Sequence, residues 1–535
     1  MIGLVFDYAT PSALQSSRER ALLELAADAR RPVRLHARVV RDVLSVRVAL
    51  QALGELVWSS DEWRRKDDMS WLVLDPVITV HPDRIFFEAF SQDRSAYGLV
   101  VIDRGMLETE GEVRTGTTNV DFTAWLWAAL AEMRSSRPTW LRIEAAGLEV
   151  QTIGAGGRFE RKVDVPEDWV RAFLQLQASM ALPGTRLSLR PVDLLAALRF
   201  LRYTKAKLSP RALRYEMVPG EDARIVLEPW EHVIRLRGAE HSYAEPRTIR
   251  TWGRRRLRLL EPLLPYADSV QVYLKGRALP SFYAVKLPGV TFVLGLSGWT
   301  ENHFTGASGM DLLAPAGVGA AFKLEPAAAA LREAYSLSAE ALAGRLRTTK
   351  ENATAMLVRL TRLGRAIFDV ERREFRSREL FAAPLDEARF YPPDGRSENA
   401  RRWVAEARVT VSSSRPRETR KVRRLRTPDG PVEREIIHRD WLAEGVADGQ
   451  KTEIVQDDGG RIIFGRCGCR FFEDNALNLG PCAHMLALYL ASEAARRDLP
   501  TSVAAEGAPD EREERDEGDD EKESSEDDAS DEDDE

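Results

Sequence analysis

The stretch Cys467-Gly-Cys469-Arg-Phe-Phe-Glu-Asp-Asn-Ala-Leu-Asn-Leu-Gly-Pro-Cys482-Ala-His484 decides how this chain is read. Its spacing is C-x-C, twelve residues, then C-x-H, and it holds all three cysteines of a 535-residue chain. Three thiols and one imidazole are a full tetrahedral ligand set for zinc. Four protein ligands leave no position for water or substrate, so the set predicts one structural Zn2+ rather than a catalytic one. Chance would scatter three cysteines along the chain instead of gathering them here. An odd cysteine count and a C-x-C too cramped for an easy bridge argue against disulfides.

The flanks agree. Arg461-Ile462-Ile463-Phe464 follows the turn Asp457-Asp458-Gly459-Gly460 and reads as a strand. Gly480-Pro481 breaks the chain, and residues 485–497 read as a helix burying Met485, Leu486, Leu488 and Tyr489. Two thiolates then lie at a strand end and the C-x-H pair at a helix start, where the dipole favours the thiolate of Cys482. This pattern resembles the SWIM zinc finger: C-x-C, a variable gap, then C-x-H, on a ββα topology. The resemblance implies Cys467, Cys469, Cys482 and His484 as the ligands, and the finger spans residues 434–493.

Outward from the finger, charge is uneven. The formal net charge is −7, but residues 506–535 hold 19 Asp or Glu and 3 Lys or Arg, a net of −16 that leaves +9 for the rest. So acidic a tail cannot bury enough apolar surface to order itself; it reads as disordered, either solubilising or covering basic surface. The most basic stretch, Arg415-Pro-Arg417 through Arg420-Lys421-Val422-Arg423-Arg424-Leu425-Arg426, reads as a solvated strand edge or part of a nucleic-acid surface. No apolar run approaches a membrane span, the first residues lack a basic leader, and the few cysteines suit a reducing compartment. The expectation is a cytoplasmic protein.

Residues 320–385 read as a winged-helix-like domain. Helices are expected at 327–334 and 339–346, and a third after Thr348-Thr-Lys-Glu351, read as a T-x-x-E capping box. That helix ends at Gly364, and a hairpin of 367–370 and 374–377 carries Arg372 and Arg373 at its tip. Lys350, Arg359 and Arg362 on the helix, with Arg372 and Arg373 and then Arg376 and Arg378 on the wing, are the candidate nucleic-acid contacts. The other reading is a protein-binding or packing module.

Residues 1–70 read as helical, with segments near 11–30 and 42–58. Residues 71–305 read as an α+β body of two similar lobes, each a meander, a helix (121–134 and 250–263) and more strands. Helices at 166–181 and 191–203 join them. Gly154-Ala-Gly156-Gly157 lacks the Lys-Ser/Thr of a P-loop and reads as a turn. Asp75, His81, Asp83, Glu88 and Asp93 cluster in sequence without metal or triad spacing. Arg254, Arg255, Arg256 and Arg258 read as the solvated face of an amphipathic helix.

A fuller resemblance, to long bacterial SWIM zinc-finger proteins, runs from about residue 70 to 493. It rests on Leu74-Asp-Pro-Val-Ile-Thr-Val-His81, Phe86-Phe-Glu-Ala-Phe90, Leu279-Pro-Ser-Phe-Tyr283, Gly295-Leu-Ser-Gly-Trp-Thr300, Arg376-Ser-Arg378-Glu-Leu-Phe381 and the finger itself. Genes of that family often adjoin a MoxR-type AAA+ ATPase and a von Willebrand A-domain protein, which implies a non-enzymatic adaptor with such protein partners. Related motifs often read Gly-Pro-Cys-Lys-His after a basic gap; here Ala483 replaces the lysine and Glu473-Asp474 lie in the gap.

The reading is thus a multi-domain α+β chain: N-terminal segment 1–70, body 71–305, winged-helix-like domain 320–385, basic linker or strands 386–433, finger 434–493 and acidic tail 506–535. One alternative function is a DNA-binding regulator acting through the winged helix. Another is an enzyme hidden in the body, which shows no P-loop, G-x-S-x-G or second metal cluster.

Overall fold

The structure, a computed structural model, describes residues 2–8, 13–16, 21–26, 33–58, 76–91, 95–120, 124–144, 159–165, 167–204, 211–276, 279–296, 323–381, 385, 391, 395–427, 430–457, 462–477 and 480–498. Residues 1–492 form one compact unit and 493–535 a second. The chain is mixed α+β, with six sheets among the described residues.

In chain order, β1 (Ile2–Tyr8), β2 (Ala13–Ser16), β3 (Ala21–Ala26) and β4 (Leu35–Val39) precede α1 (Val43–Trp58). Then come β5 (Val77–Val80), β6 (Arg84–Phe90), β7 (Ala96–Asp103), β8 (Leu107–Thr109), β9 (Gly116–Asn119), α2 (Ala124–Ala129), β10 (Thr139–Glu144) and β11 (Phe159–Val165). α3 (Glu167–Met180), β12 (Thr185–Leu189) and α4 (Pro191–Tyr203) lead into β13 (Leu213–Met217), β14 (Arg224–Leu227), β15 (His232–Arg235) and β16 (Arg247–Thr251). β17 (Ser269–Leu274), β18 (Ser281–Leu287) and β19 (Val290–Leu296) follow.

Two expectations for this half are corrected. The helix expected near 11–30 is strand wherever it is described: β3 lies between β2 and β10, parallel to β10. The run Ala-Leu-Leu-Glu-Leu-Ala has helical propensity, but burial of Ala21, Leu22, Leu23 and Leu25 inside a sheet overrides it. The helix expected at 250–263 is instead the end of β16 and a 3-10 segment, Arg254–Leu260. Gly253, at φ 79°, breaks the chain there, and Pro262 cannot donate to a continuing α-helix. Gly154–Gly157, Asp75, Asp93 and the tail lie outside the described residues.

An eight-stranded antiparallel sheet, ordered β12-β17-β18-β19-β7-β6-β5-β9, takes four strands from residues 77–119 and four from 185–296. They join where β19 meets β7, Val290 opposite Ile102 through Leu296 opposite Ala96. Ile85, Phe87, Val100 and Phe292 point toward α1, with Leu50 and Leu53. Phe86, Phe90, Tyr97 and Leu99 point the other way, onto Phe173 of α3. Covered on both faces, these strands read as continuous apolar runs rather than alternating ones. Gly98 permits the close approach of α1: a Cβ there would meet Leu53 Cδ1 at 2.8 Å.

The next segment places α5 (Glu325–Ala334), β20 (Ser336–Leu337), α6 (Ala339–Leu346), α7 (Lys350–Arg362), β21 (Ala366–Asp369) and β22 (Glu374–Ser377) in three helices and a sheet ordered β20-β22-β21. The cap of α7 is Thr349, not the expected Thr348: Thr349 Oγ1 accepts from the Asn352 amide at 3.2 Å. Thr348 instead accepts from the Asn352 side chain, and Glu351 becomes an ordinary first-turn acid. Gly364, at φ 74°, ends the helix as expected.

Last come α8 (Gly395–Ala405), β23 (Val409–Thr427), β24 (Gly430–Ala447), β25 (Gln450–Asp457), β26 (Ile462–Cys467), α9 (Arg470–Asn475) and α10 (Ala483–Asp498). The four strands form one sheet in sequence order. The basic stretch is therefore the first strand of the same sheet that carries the cysteines.

Candidate metal centre

Cys467 ends β26, where it lies opposite Thr452 of β25. Two residues on, Cys469 caps α9, its carbonyl accepting from Phe472 and Glu473. Cys482 precedes α10, its carbonyl accepting from Leu486 at 3.0 Å, and His484 sits in that helix's first turn. α10 starts two residues earlier than expected, so strand end and helix start supply the two pairs. Met485, Leu486, Leu488 and Tyr489 are buried, as their spacing predicts. Gly465 lets α10 settle on the sheet, since a Cβ there would meet Met485 Cε at 2.7 Å.

One donor atom from each of Cys467, Cys469, Cys482 and His484 lies within 4.8 Å of all the others, a set that could hold a metal ion. Cys467 Sγ is 3.6 Å from His484 Nδ1. A tetrahedron with metal–sulfur near 2.3 Å and metal–nitrogen near 2.05 Å has an S···N edge of about 3.6 Å. The donors therefore fit an ion of the zinc type. Among the bare side chains, the Cys482 thiol, followed by His484, pulls Cys467 down to about 3 against the opposing effect of burial. The same hydrogen bond between the two sulfurs, then burial, pushes Cys482 up, and burial raises Cys469.

The surroundings hold the donors in place. Thr452 Oγ1 donates to Cys467 Sγ at 3.8 Å. Trp403 of α8 stacks on His484, ring centroids 4.8 Å apart at 16°. Trp403 and Ala400 share a small core with Leu486 and Ala487, and Arg396 donates to the Pro481 carbonyl at 3.4 Å. Sequence reasoning missed Trp403 and Thr452. Trp403 lies 81 positions from His484, and no local pattern links them.

The candidate phosphate contacts are not brought together on one open face. α7 packs against α3, and beyond Glu351 none of its residues is exposed. Lys350 pairs with Glu340, Arg359 is half-buried, and Arg362 lies over the Tyr391 ring at 4.4 Å. Arg373 is exposed at the hairpin tip, while Arg372 binds Asp83 at 2.7 Å. Arg376 and Arg378 have no exposed surface to offer a phosphate, which corrects that expectation.

These buried arginines hold the hairpin to the central sheet. Arg376 binds both oxygens of Asp83, at 2.8 and 3.0 Å, and Asp369 at 2.9 Å. Arg378 binds both oxygens of Glu88, at 2.9 and 3.0 Å, and Gln177 of α3 at 2.7 Å; Tyr97 also donates to Glu88. Arg84 reaches Asp369 and Glu371. His81 donates from Nε2 to the Ser377 carbonyl at 2.8 Å; its Nδ1 is buried without a partner. Burial drives the His81 pKa down to about 4. Burial alone would raise Asp83, but Arg376 and then Arg372 hold it below the usual carboxylate range.

No family model matches this chain, and no curated protein matches it. Among solved structures it is similar to PCNA from Thermococcus kodakaraensis, at 12% identity and a TM-score of 0.31, covering 49% of this chain and 99% of that one. Proliferating Cellular Nuclear Antigen from Entamoeba histolytica aligns at 11% identity and a TM-score of 0.32, over 49% of this chain and 98% of that one. Scores of this size fix neither fold nor function.

Proposed function

We propose that this chain is a zinc-stabilised, SWIM-type interaction protein, an adaptor without catalysis of its own. The observation that carries the reading is the donor set: three thiols and an imidazole, mutually within 4.8 Å. Four protein ligands complete a tetrahedron and leave no coordination position for substrate, as in structural zinc sites. The ion would supply folding energy to β25, β26, α9 and α10 by joining a strand end to a helix start. Trp403 and Thr452 would orient the imidazole and one thiolate.

Protein partners fit this reading better than DNA read by α7, because α3 occupies the space a groove would need. A MoxR-type AAA+ ATPase and a von Willebrand A-domain protein are the proposed partners, on the strength of the family resemblance, with the cytoplasm as the proposed compartment. Among the described residues no helix is long and apolar enough to cross a membrane. Two measurements test the proposal: metal content of gently purified protein, expected at one zinc per chain, and identification of what co-purifies with the native protein. Zinc-free protein that keeps its finger folded would sink the metal reading; purification without any partner would sink the adaptor.

A further inference from the structure

We infer that the outer half of the β23–β24 hairpin is an arm that binds duplex nucleic acid. The two strands pair continuously from Val409 opposite Ala447 to Thr427 opposite Gly430. β25 accompanies β24 only between Asp440 and Ala447. From Glu418 opposite Arg439 outward, the hairpin is a two-stranded ribbon with no third strand among the described residues. Ten residues per strand at about 3.3 Å each give an arm of about 33 Å. That is close to one turn of B-DNA, about 34 Å, whose major groove is about 12 Å wide and admits a two-stranded ribbon.

The arm's composition names the partner's charge. Residues 418–439 hold seven Lys or Arg and four Asp or Glu; Arg415 and Arg417 at the arm's root, where β25 still flanks β24, bring the net to +5, and eight of these nine cations are arginine. Lysine suffices to blunt a strand edge; arginine adds the planar fork that suits phosphate. Arg415, Arg417, Arg420 and Arg424 are exposed. Arg417 pairs with Asp440 at 3.0 Å and Arg420 with Glu418 and Glu435. Surface pairs of this kind are worth little and exchange readily for phosphate. Near the tip, Val432 rests on the main core, so the arm is braced against the body and need not be ordered on binding. Duplex is favoured over an acidic protein because the ribbon's length and width match a groove.

The test titrates the full chain onto a fluorescent random-sequence duplex of about 30 base pairs, from about 0.05 to 0.2 M salt. One variant carries R415Q, R417Q, R420Q and R424Q; a charge-matched control carries R235Q, R237Q, R255Q and R258Q, all exposed on the body. Each phosphate contact contributes about −0.9 to the slope of log affinity against log salt, or about eightfold at 0.1 M. The arm variant should flatten the slope by about three and so lose about a thousandfold in affinity at about 0.1 M, the control less than about threefold, and an all-lysine arm quartet should bind nearly as the native chain does. If the Gln quartet loses its metal, the single variants R415Q and R424Q should each lose several-fold with metal retained. No duplex binding at the lowest salt, equal losses in arm and control variants, or binding to polyglutamate in place of duplex would overturn the inference.

Discussion

The metal cluster and the charged layer under β22 are both polar constellations that close a small sheet onto its neighbours, yet they are built from opposite kinds of sequence. The four metal donors lie within 18 consecutive residues, and their spacing alone gives the geometry. The charged layer joins residues 81–88 to residues 369–378, almost 300 positions away. In the first, a local motif does the work and places four donors that could hold an ion. In the second, topology brings together charges that are ordinary surface residues when read one segment at a time. The difference separates what each region loses on damage: the cluster its fold, the layer part of its stability.

The largest effect belongs to the cluster. Cys482→Ser should reduce zinc from one per chain to near zero by elemental analysis and expose residues 440–493 to hydrogen exchange. Structural zinc contributes an apparent 10–16 kcal/mol, roughly, at neutral pH. A variant that keeps its zinc would remove Cys482 from the ligand set.

The charged layer sets the next scale. Arg378 and Glu88 are both fully buried, so Glu88→Ala leaves an uncompensated guanidinium and should cost about 3–5 kcal/mol in urea unfolding. The double variant Glu88→Leu, Arg378→Met should recover most of that, since apolar replacements also avoid the desolvation cost. Arg372→Ala, at a half-exposed pair with Asp83, should cost under about 1 kcal/mol. Equal losses for Glu88→Ala and Arg372→Ala would erase the distinction between buried and exposed pairs.

These magnitudes explain what was legible. The strand-end and helix-start placement of the ligands, the inward face of α10, the three-helix-and-hairpin order of 325–377 and most strands of the central sheet follow from spacing and apolar pattern. The arginines of the hairpin read as phosphate contacts because a basic tip is the same text whether it faces DNA or buried carboxylates. Only β6, lying beneath the hairpin with Glu88 on the face toward α3, decides between them. Leu22 and Leu23 read as helical for a similar reason: their pattern is local, but their partner strand β10 begins at Thr139.

A smaller effect is pH-dependent. His81, held near 4 by burial, binds its proton less readily folded than unfolded, where the pKa is near 6.5. A lowered histidine pKa means stability fully present above about pH 6.5 and lost as pH falls toward 4, at most about 3 kcal/mol. The groups facing it are Arg376, Asp83 and Asp369, with Phe86 and Tyr335 against its ring. Asp83, held low by its arginines, adds its loss only below the unfolded carboxylate range near pH 4. The native chain should thus lose urea resistance between pH 6.5 and 4 more steeply than His81→Gln; parallel curves would contradict the assignment. At the cluster, Trp403→Ala should weaken zinc affinity by about 10–100-fold without abolishing binding, because it removes a group that orients His484 rather than a ligand.

X-ray absorption at the zinc edge of the purified full chain tests the central claim most directly. The account predicts three sulfur scatterers at about 2.3 Å and one nitrogen at about 2.0–2.1 Å, with no oxygen in the first shell. A coordinated water, a carboxylate oxygen, or fewer than three sulfurs would contradict a closed Cys467–Cys469–Cys482–His484 centre.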